Sequence, residues 1–293
     1  MAAMVRHPPA RISRGKSQSR AVFVATSVDA GWTFAPIVLL ALIGYVVVYV
    51  VRWRTVRREG GARAASGWRL TSWCAGVLVL FLALISPIDR LGEQLATMHM
   101  VQHLLIADIA PILLTLGLTR WLLRPATRRI HRIERKAGPF AHPAFGVVAY
   151  VGAMWFWHVP AMYDAALRHG GIHVLEHLSF AAAGLLYWWH LLSPIRSRLR
   201  LGGMGPVAYM FSTKMLVGFL GIVLAFSPTL LFDFYGTTGH KWGLSPLDDQ
   251  HVAGLVMALE QSIVMGIALA WLFARMLAES EAEEQRAERF ANP

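Results

Sequence analysis

Six of the twelve histidines in this chain fall at the ends of hydrophobic segments, where their imidazoles could share a ligand. They are His99, His103, His158, His173, His177 and His251. Four of them form two H-x-x-x-H pairs, and residues four apart lie on one face of a helix. An imidazole is costly inside a bilayer. Several imidazoles that converge at one depth therefore indicate a metal site, in which each pair gains a third ligand from another helix.

The side chains around these histidines favour copper, with zinc as the alternative. Imidazole is a good ligand for copper, zinc and iron, and thioethers favour Cu(I). Three methionines flank the histidines: Met98, Met100 and Met162. Glu176 lies between His173 and His177, and it could orient a ligand or cap the start of its helix. Asp249, just before His251, could do the same. Any single histidine could instead be an interfacial residue with a satisfied hydrogen bond.

Membrane-spanning helices must position these residues. The sequence is 56% hydrophobic and 15% charged, with a mean hydropathy of +0.47, so it is more apolar than an ordinary soluble domain. A span needs about 20 mostly apolar residues, and seven segments qualify: 33–51, 68–86, 97–118, 143–159, 173–193, 206–226 and 251–273. We therefore expect an all-α, polytopic membrane protein with seven transmembrane helices in one domain, 33–275. A polar basic tail, 1–32, precedes this domain, and a charged cytoplasmic tail, 276–293, follows it.

Positive charge orients the predicted bundle, because arginine and lysine favour cytoplasmic loops. The connections after the first, third and fifth segments are rich in arginine, whereas the alternate connections hold one basic residue each: Arg90, Arg168 and Lys241. The sequence thus predicts an N-terminus outside, a cytoplasmic C-terminus, and all six histidines within about 10 Å of the outer boundary. Five basic residues of the N-terminal tail oppose this orientation, but the three arginine-rich loops outnumber them.

The net charge of +11 comes largely from these loops, so it indicates topology rather than a nucleic-acid partner. A nucleic-acid-binding module would carry a basic surface interleaved with aromatic residues, and the sequence shows no such module. Cys74 is the only cysteine, which excludes an intramolecular disulfide and a metal site built on a cysteine pair.

Three charged residues fall near the middle of their predicted spans: Asp108, Lys214 and Glu260. Charges at that depth must be paired or must line a polar cavity. We expect a buried ion pair between Asp108 and Lys214 that fixes helix register, with Glu260 as the other candidate partner. The alternative is a path for protons or ions between the outer site and the cytoplasm.

Four segments carry the histidines together with proline, glycine and aromatic residues. They are Met98–Leu105 with Ala110-Pro111 and Gly117, Trp157-His158-Val159-Pro160 with Tyr163, His173–His177 with Gly184–Trp189, and Asp249-Gln250 with Gly254-Leu255 and Met257. As a set they resemble the bacterial cytochrome c oxidase assembly factor family of CtaG type, over about residues 35–275. The resemblance implies a seven-helix plasma-membrane protein that is needed to make active heme–copper oxidase, and that handles copper for it.

The combined expectation is an assembly factor, not an enzyme, in the bacterial plasma membrane. It would bind copper at its outer face and help to metallate a subunit of the oxidase, so its partners would be oxidase subunits and the lipid bilayer. One alternative is a membrane-embedded zinc hydrolase, in which Glu176 or Asp249 positions water. The other is a transporter that uses the midplane charges, although no inverted repeat is visible in the sequence.

Overall fold

The computed structural model describes residues 27–195, 199 and 201–291, and the regular structure in those ranges is helical. The first half contains α1 (Pro36–Ala64), α2 (Gly67–Ile85), α3 (Pro87–Gly92), α4 (Ala96–Leu104), α5 (Ala110–Gly117) and α6 (Arg120–Ala137). The second half contains α7 (Pro143–Trp157), α8 (Pro160–Arg168), α9 (Gly170–Leu192), α10 (Gly205–Ala225), α11 (Asp233–Gly236) and α12 (Pro246–Ala291). Most of the predicted basic tail, 1–26, lies outside the described residues.

Four helical segments are long and apolar enough to cross a membrane: α1, α2, the segment Ala96–Gly117 and α10. The helices α7 and α8 meet at an angle of 75° and make a fifth crossing if they form one broken span. These findings agree with the predicted all-α membrane fold. The two remaining predicted spans coincide with α9 and with the first half of α12.

The predicted cytoplasmic tail is part of a longer element. Helix α12 continues from the seventh predicted span through the Glu- and Arg-rich segment to Ala291. The helix therefore carries both apolar and charged turns without a break.

The larger helices form a closed ring, which brings the predicted histidine segments to one end of the bundle. In order around the ring, α5 contacts α9, α9 contacts α7, α7 contacts α10, α10 contacts α12, and α12 contacts α4, which continues through residues 105–109 into α5. Helix α2 packs on α5, and α1 packs on α2 at the periphery with most of its apolar residues exposed. Buried aromatic side chains of α7 and α9 fill the centre of the ring.

A π-helical turn, Leu105–Ile109, interrupts the third predicted span between α4 and α5. Turns of this kind are rare and are frequent at functional sites. The turn packs directly on α9, where Gly184 faces the carbonyl oxygen of Ala107 so closely that a Cβ on Gly184 would overlap it. Gly184 therefore sets how closely α9 approaches the π-turn.

This contact predicts the effect of one methyl group. Gly184→Ala should lower the thermal unfolding midpoint in detergent, because overpacking a close contact costs ~1–3 kcal/mol. Gly152→Ala on α7 is the matched control, because a Cβ there meets nothing within 4 Å and alanine is about 1 kcal/mol better than glycine in a helix. Equal midpoints for the two variants would contradict the close approach.

Candidate metal centre

The two H-x-x-x-H pairs face each other across the contact between α4 and α9. The rings of His99 and His173 are stacked with centroids 5.5 Å apart, and those of His103 and His177 are 5.7 Å apart. Within each pair the centroids are 4.1 Å and 4.2 Å apart. The spacing in the sequence therefore becomes a compact group of four imidazoles from two helices.

Glu176 lies at the centre of this group and is fully buried, with no exposed surface. Its two carboxylate oxygens divide between the rings of α4: Oε2 is 3.6 Å from Nε2 of His99, and Oε1 is 3.6 Å from Nε2 of His103. These separations exceed a hydrogen bond. They are close to the distance of about 3.3 Å between two ligand atoms that each lie 2.0–2.1 Å from one tetrahedral ion.

The polar atoms of this group lack hydrogen-bond partners. Both ring nitrogens of His99 and His103, both oxygens of Glu176, and Nε2 of His173 and His177 are buried and unpaired. Buried polar groups without partners cost free energy, so almost all of those in proteins are paired. A bound cation would satisfy several of them together, and the residues present therefore fit a metal ion.

The donor atoms form two sets that share the carboxylate. His99, His103 and Glu176 make one set, and His173, Glu176 and His177 make the other, with the ligand atoms of each set within 4.8 Å of one another. Imidazole and carboxylate donors suit Zn²⁺, Cu²⁺ and Fe²⁺. We refer to these five residues as the His–Glu group.

Aromatic side chains enclose the His–Glu group. The ring of Tyr163 lies 5.1 Å from His99 and stacks on Phe232 at 3.8 Å, and Phe180 lies 4.4 Å from His103. All three aromatic side chains are almost completely buried. Electrostatic interactions inside this apolar enclosure are weakly screened.

His158 lies at the bend between α7 and α8, next to the His–Glu group but outside its two donor sets. Its ring centroid is 6.2 Å from that of His103. Its Nδ1 is 2.6 Å from the carbonyl oxygen of Met154, and its Nε2 is 3.2 Å from Sδ of Met100. Val159 precedes Pro160, which begins α8, and a residue before proline favours extended backbone. The chain therefore turns just after His158.

His251 and Asp249 bind backbone atoms of neighbouring segments and belong to neither donor set. Nε2 of His251 lies 2.9 Å from the carbonyl oxygen of Ser227, after α10. The Asp249 carboxylate accepts hydrogen bonds from the backbone N–H groups of Ala96, at 2.6 Å, and Thr97, at 3.2 Å. Asp249 thereby caps the N-terminus of α4 from another helix, as an N-cap side chain does within one chain segment. Its role is to position the helix that carries His99 and His103.

The central place of Glu176 was not predicted, although it was a candidate to orient a ligand. The signal was present, because His173-Val-Leu-Glu-His177 has the H-x-x-E-H spacing of a known class of zinc sites. Helical periodicity alone also places residues 173, 176 and 177 on adjacent parts of one face. What the sequence did not show is that α4 covers that face.

The midplane charges differ from the predicted ion pair. Asp108, on the π-turn, accepts hydrogen bonds from the Tyr150 hydroxyl and from Nε1 of Trp188, the latter at 2.9 Å. Lys214 is half-buried and lies more than 4.0 Å from any carboxylate oxygen of the described residues. Glu260, the other candidate partner, accepts a hydrogen bond at Oε2 from Nε2 of Gln261, at 2.8 Å. Neutral donors from α7 and α9 therefore replace the expected lysine at Asp108.

A helical membrane protein with a buried group of histidines around one carboxylate is the class that this structure defines. The family model "Cytochrome c oxidase caa3 assembly factor (Caa3_CtaG)" matches residues 47–279. The match covers most of the chain, so the protein belongs to this family of cytochrome c oxidase assembly factors. The family resemblance predicted from the histidine-bearing segments is confirmed.

Curated relatives come from mycobacteria. An uncharacterized protein of Mycobacterium leprae is 21% identical over 282 residues, which cover 89% of this chain and 42% of that protein. Uncharacterized proteins of Mycobacterium bovis and Mycobacterium tuberculosis are 24% identical over 240 residues, which cover 76% of this chain and 36% of those proteins. The chain thus spans less than half the length of these relatives. No solved structure matches the chain.

The hydrogen bonds at Asp108 predict a coupling that differs from the ion-pair hypothesis. In a double-mutant cycle, Tyr150→Phe and Asp108→Asn should interact by about 0.5–3 kcal/mol, because the two side chains are in direct contact. Lys214→Met and Asp108→Asn should instead be additive. The measurement is the free energy of unfolding in mixed micelles. Strong coupling between positions 108 and 214 would restore the ion pair and contradict the observed arrangement.

Proposed function

We propose that this chain is a seven-span assembly factor of the bacterial plasma membrane that holds copper in the His–Glu group at the outer face and helps to metallate heme–copper oxidase. The single observation that carries the proposal is the fully buried carboxylate of Glu176 among four imidazoles, each of which has a buried Nε2 without a hydrogen-bond partner. Family membership supports a role in oxidase assembly, and the imidazole and carboxylate donors support copper as the bound ion.

The chemistry of the group suits temporary storage of a cation. Glu176 supplies the negative charge that offsets an incoming ion, and the histidines supply neutral nitrogen ligands that need not lose a proton to bind. The surrounding aromatic residues exclude water, which slows exchange with solvent. Residues from α4 and α9 share the ion, so a small movement between these two helices would change the number of ligands and permit release to a partner subunit.

One observation supports the zinc-hydrolase alternative, and another opposes it. Glu176 lies beside the histidines, as a residue that positions water would. However, it also lies within both donor sets and is fully buried, whereas a catalytic zinc keeps an open position for water or substrate. The closed group therefore favours metal storage over hydrolysis.

Metal analysis tests the proposal directly. The variants His103→Ala, His177→Ala and Glu176→Gln should insert into the membrane but lose bound copper, because each removes a donor while the helices keep their apolar contacts. Cells that carry these variants should lose heme–copper oxidase activity. The measurements are metal content of the purified protein and oxidase activity of membranes.

The matched control is His131→Ala on α6, whose ring faces Glu134 at 3.3 Å and lies in an arginine-rich helix far from the group in the sequence. It should keep both metal and activity. Full metal content in a His103→Ala, His177→Ala double variant would refute the site. Bound zinc together with intact oxidase activity in the variants would favour the hydrolase.

The proposed orientation has its own test. Single cysteines at Arg57 or Arg128, in a variant whose native Cys74 is replaced by serine, should resist a membrane-impermeant thiol reagent in intact cells. The reason is that arginine-rich connections remain cytoplasmic. A cysteine at Arg168, on the opposite side, should react and serves as the control. The reverse labelling pattern would place the His–Glu group on the cytoplasmic side.

A further inference from the structure

A small cavity lies between α4, α7 and α12, directly beyond His103. Its volume is about 20 Å³, which is room for one water-sized particle. Three methionines and two histidines line it: Met100, Met154, Met257, His103 and His158. The rest of the lining comes from Leu104, Asp108, Glu260 and Gln261, and the Asp108 carboxylate is already hydrogen-bonded to Tyr150 and Trp188. The three methionines come from three different helices and are all buried. Their convergence gives the cavity a lining of thioethers and imidazoles.

The protonation of His158 shows what this cavity can bind. Its Nδ1 lies 2.6 Å from the carbonyl oxygen of Met154, so that nitrogen must carry the proton and donate it. In the neutral ring Nε2 is then an unprotonated lone pair, and it lies 3.2 Å from Sδ of Met100. A thioether sulfur has no proton to donate. Two lone pairs therefore face each other in a buried place.

A cation between those two atoms would turn this unfavourable contact into a pair of coordinate bonds. Nitrogen and sulfur ligands with bond lengths of about 2.0 and 2.3 Å to one ion lie roughly 3.5 Å apart at a tetrahedral angle and roughly 3.7 Å apart at a trigonal one. The two atoms would therefore separate by a few tenths of an ångström when the ion binds. Met154 and Met257 add two more soft donors to the same cavity, and thioethers select Cu(I) over Zn²⁺ and other harder divalent ions.

We propose that this Met–His cavity is a second metal site, specific for Cu(I), with His158 and Met100 as its primary ligands and Met257 or Met154 as the third. The inference rests on the proposed function, because it assigns an oxidation state to copper within the same protein. The carboxylate of Glu260 at the border of the cavity offsets the single positive charge. The His–Glu group, with nitrogen and oxygen donors, remains the site for a divalent ion.

The two sites lie in series along the bundle. His103 contributes to the His–Glu group through Nε2, which faces Glu176, and its side chain also lines the Met–His cavity. The deeper site is therefore reached from the outer one past a single shared side chain. Of these two neighbouring sites, only the deeper one offers thioethers, which bind copper as Cu(I) and disfavour zinc.

The experiment uses the purified full chain in detergent under anaerobic conditions. Cu(I) is added, its affinity is measured against a chromogenic Cu(I) chelator, and its ligands are identified by X-ray absorption at the copper edge. The unaltered protein should show sulfur scattering at about 2.3 Å. Met100→Leu, Met257→Leu double substitution should remove most of that scattering.

The same double substitution should weaken Cu(I) binding at least about tenfold, the smallest loss typical when even an outer partner of a metal ligand is removed. Leucine keeps nearly the same volume as methionine, so the core should remain packed. Met162→Leu is the matched control, because Met162 flanks the histidines on α8 but does not line the cavity. It should change neither the spectrum nor the affinity.

A His173→Ala variant separates this inference from the proposed function. It should lose the divalent metal of the His–Glu group while sulfur-ligated Cu(I) is kept, which would show two sites. Cu(I) without sulfur ligands in the unaltered protein would overturn the Met–His site, and the cavity would then hold water, even if His173→Ala still loses metal. Equal loss of divalent and monovalent ions in the methionine variant would overturn it too, because it would show a single shared site.

Discussion

The carboxylate of Glu176 is the interaction on which the histidine end of the bundle depends. An ionised group with no exposed surface must be compensated, because an unpaired buried charge destabilises a protein by several kcal/mol. Here the groups around it are four imidazoles, and the two on α4 lie 3.6 Å from its oxygens, which is longer than a hydrogen bond. A bound cation would compensate the charge of the carboxylate, which these imidazoles alone do not. The His–Glu group would then destabilise the metal-free protein and stabilise the metal-bound protein.

The rest of the fold holds α4 and α9 at the separation that this group requires. Asp249 caps α4 from α12 and fixes its start, and the π-turn after α4 rests on Gly184 of α9. Deeper in the bundle, Tyr150 of α7 and Trp188 of α9 both hold Asp108. Two sets of hydrogen bonds and one close backbone contact thus fix the relative position of the helices that carry the histidines. Apolar packing could not do this, since lipid tails are as apolar as the helix faces.

Much of this could be predicted from the sequence, and the remainder depended on which helices are neighbours. The hydrophobic segments coincide with helices, and the two H-x-x-x-H pairs do meet, because spacing along a helix determines which side chains share a face. Spacing does not say which helix covers that face. His251 was expected beside the other histidines because of its depth, yet its ring holds the segment after α10. Asp108 was expected to pair with Lys214 because the two carry opposite charges, yet its carboxylate accepts hydrogen bonds from Tyr150 and Trp188 instead.

The two proposed sites, the His–Glu group and the Met–His cavity, would also explain why one protein combines hard and soft ligands. A site of imidazole and carboxylate binds several divalent ions and has little preference for copper over zinc beyond the general order of affinities. A thioether site favours Cu(I) and disfavours zinc, and the carboxylate that borders the Met–His cavity would offset the charge of a single Cu(I) ion. In the proposal, the His–Glu group would hold a divalent ion and the Met–His cavity would hold Cu(I), so each set of ligands would suit one oxidation state. His103 faces Glu176 and also lines the cavity, so an ion bound in one site would change the donor atoms that are available to the other.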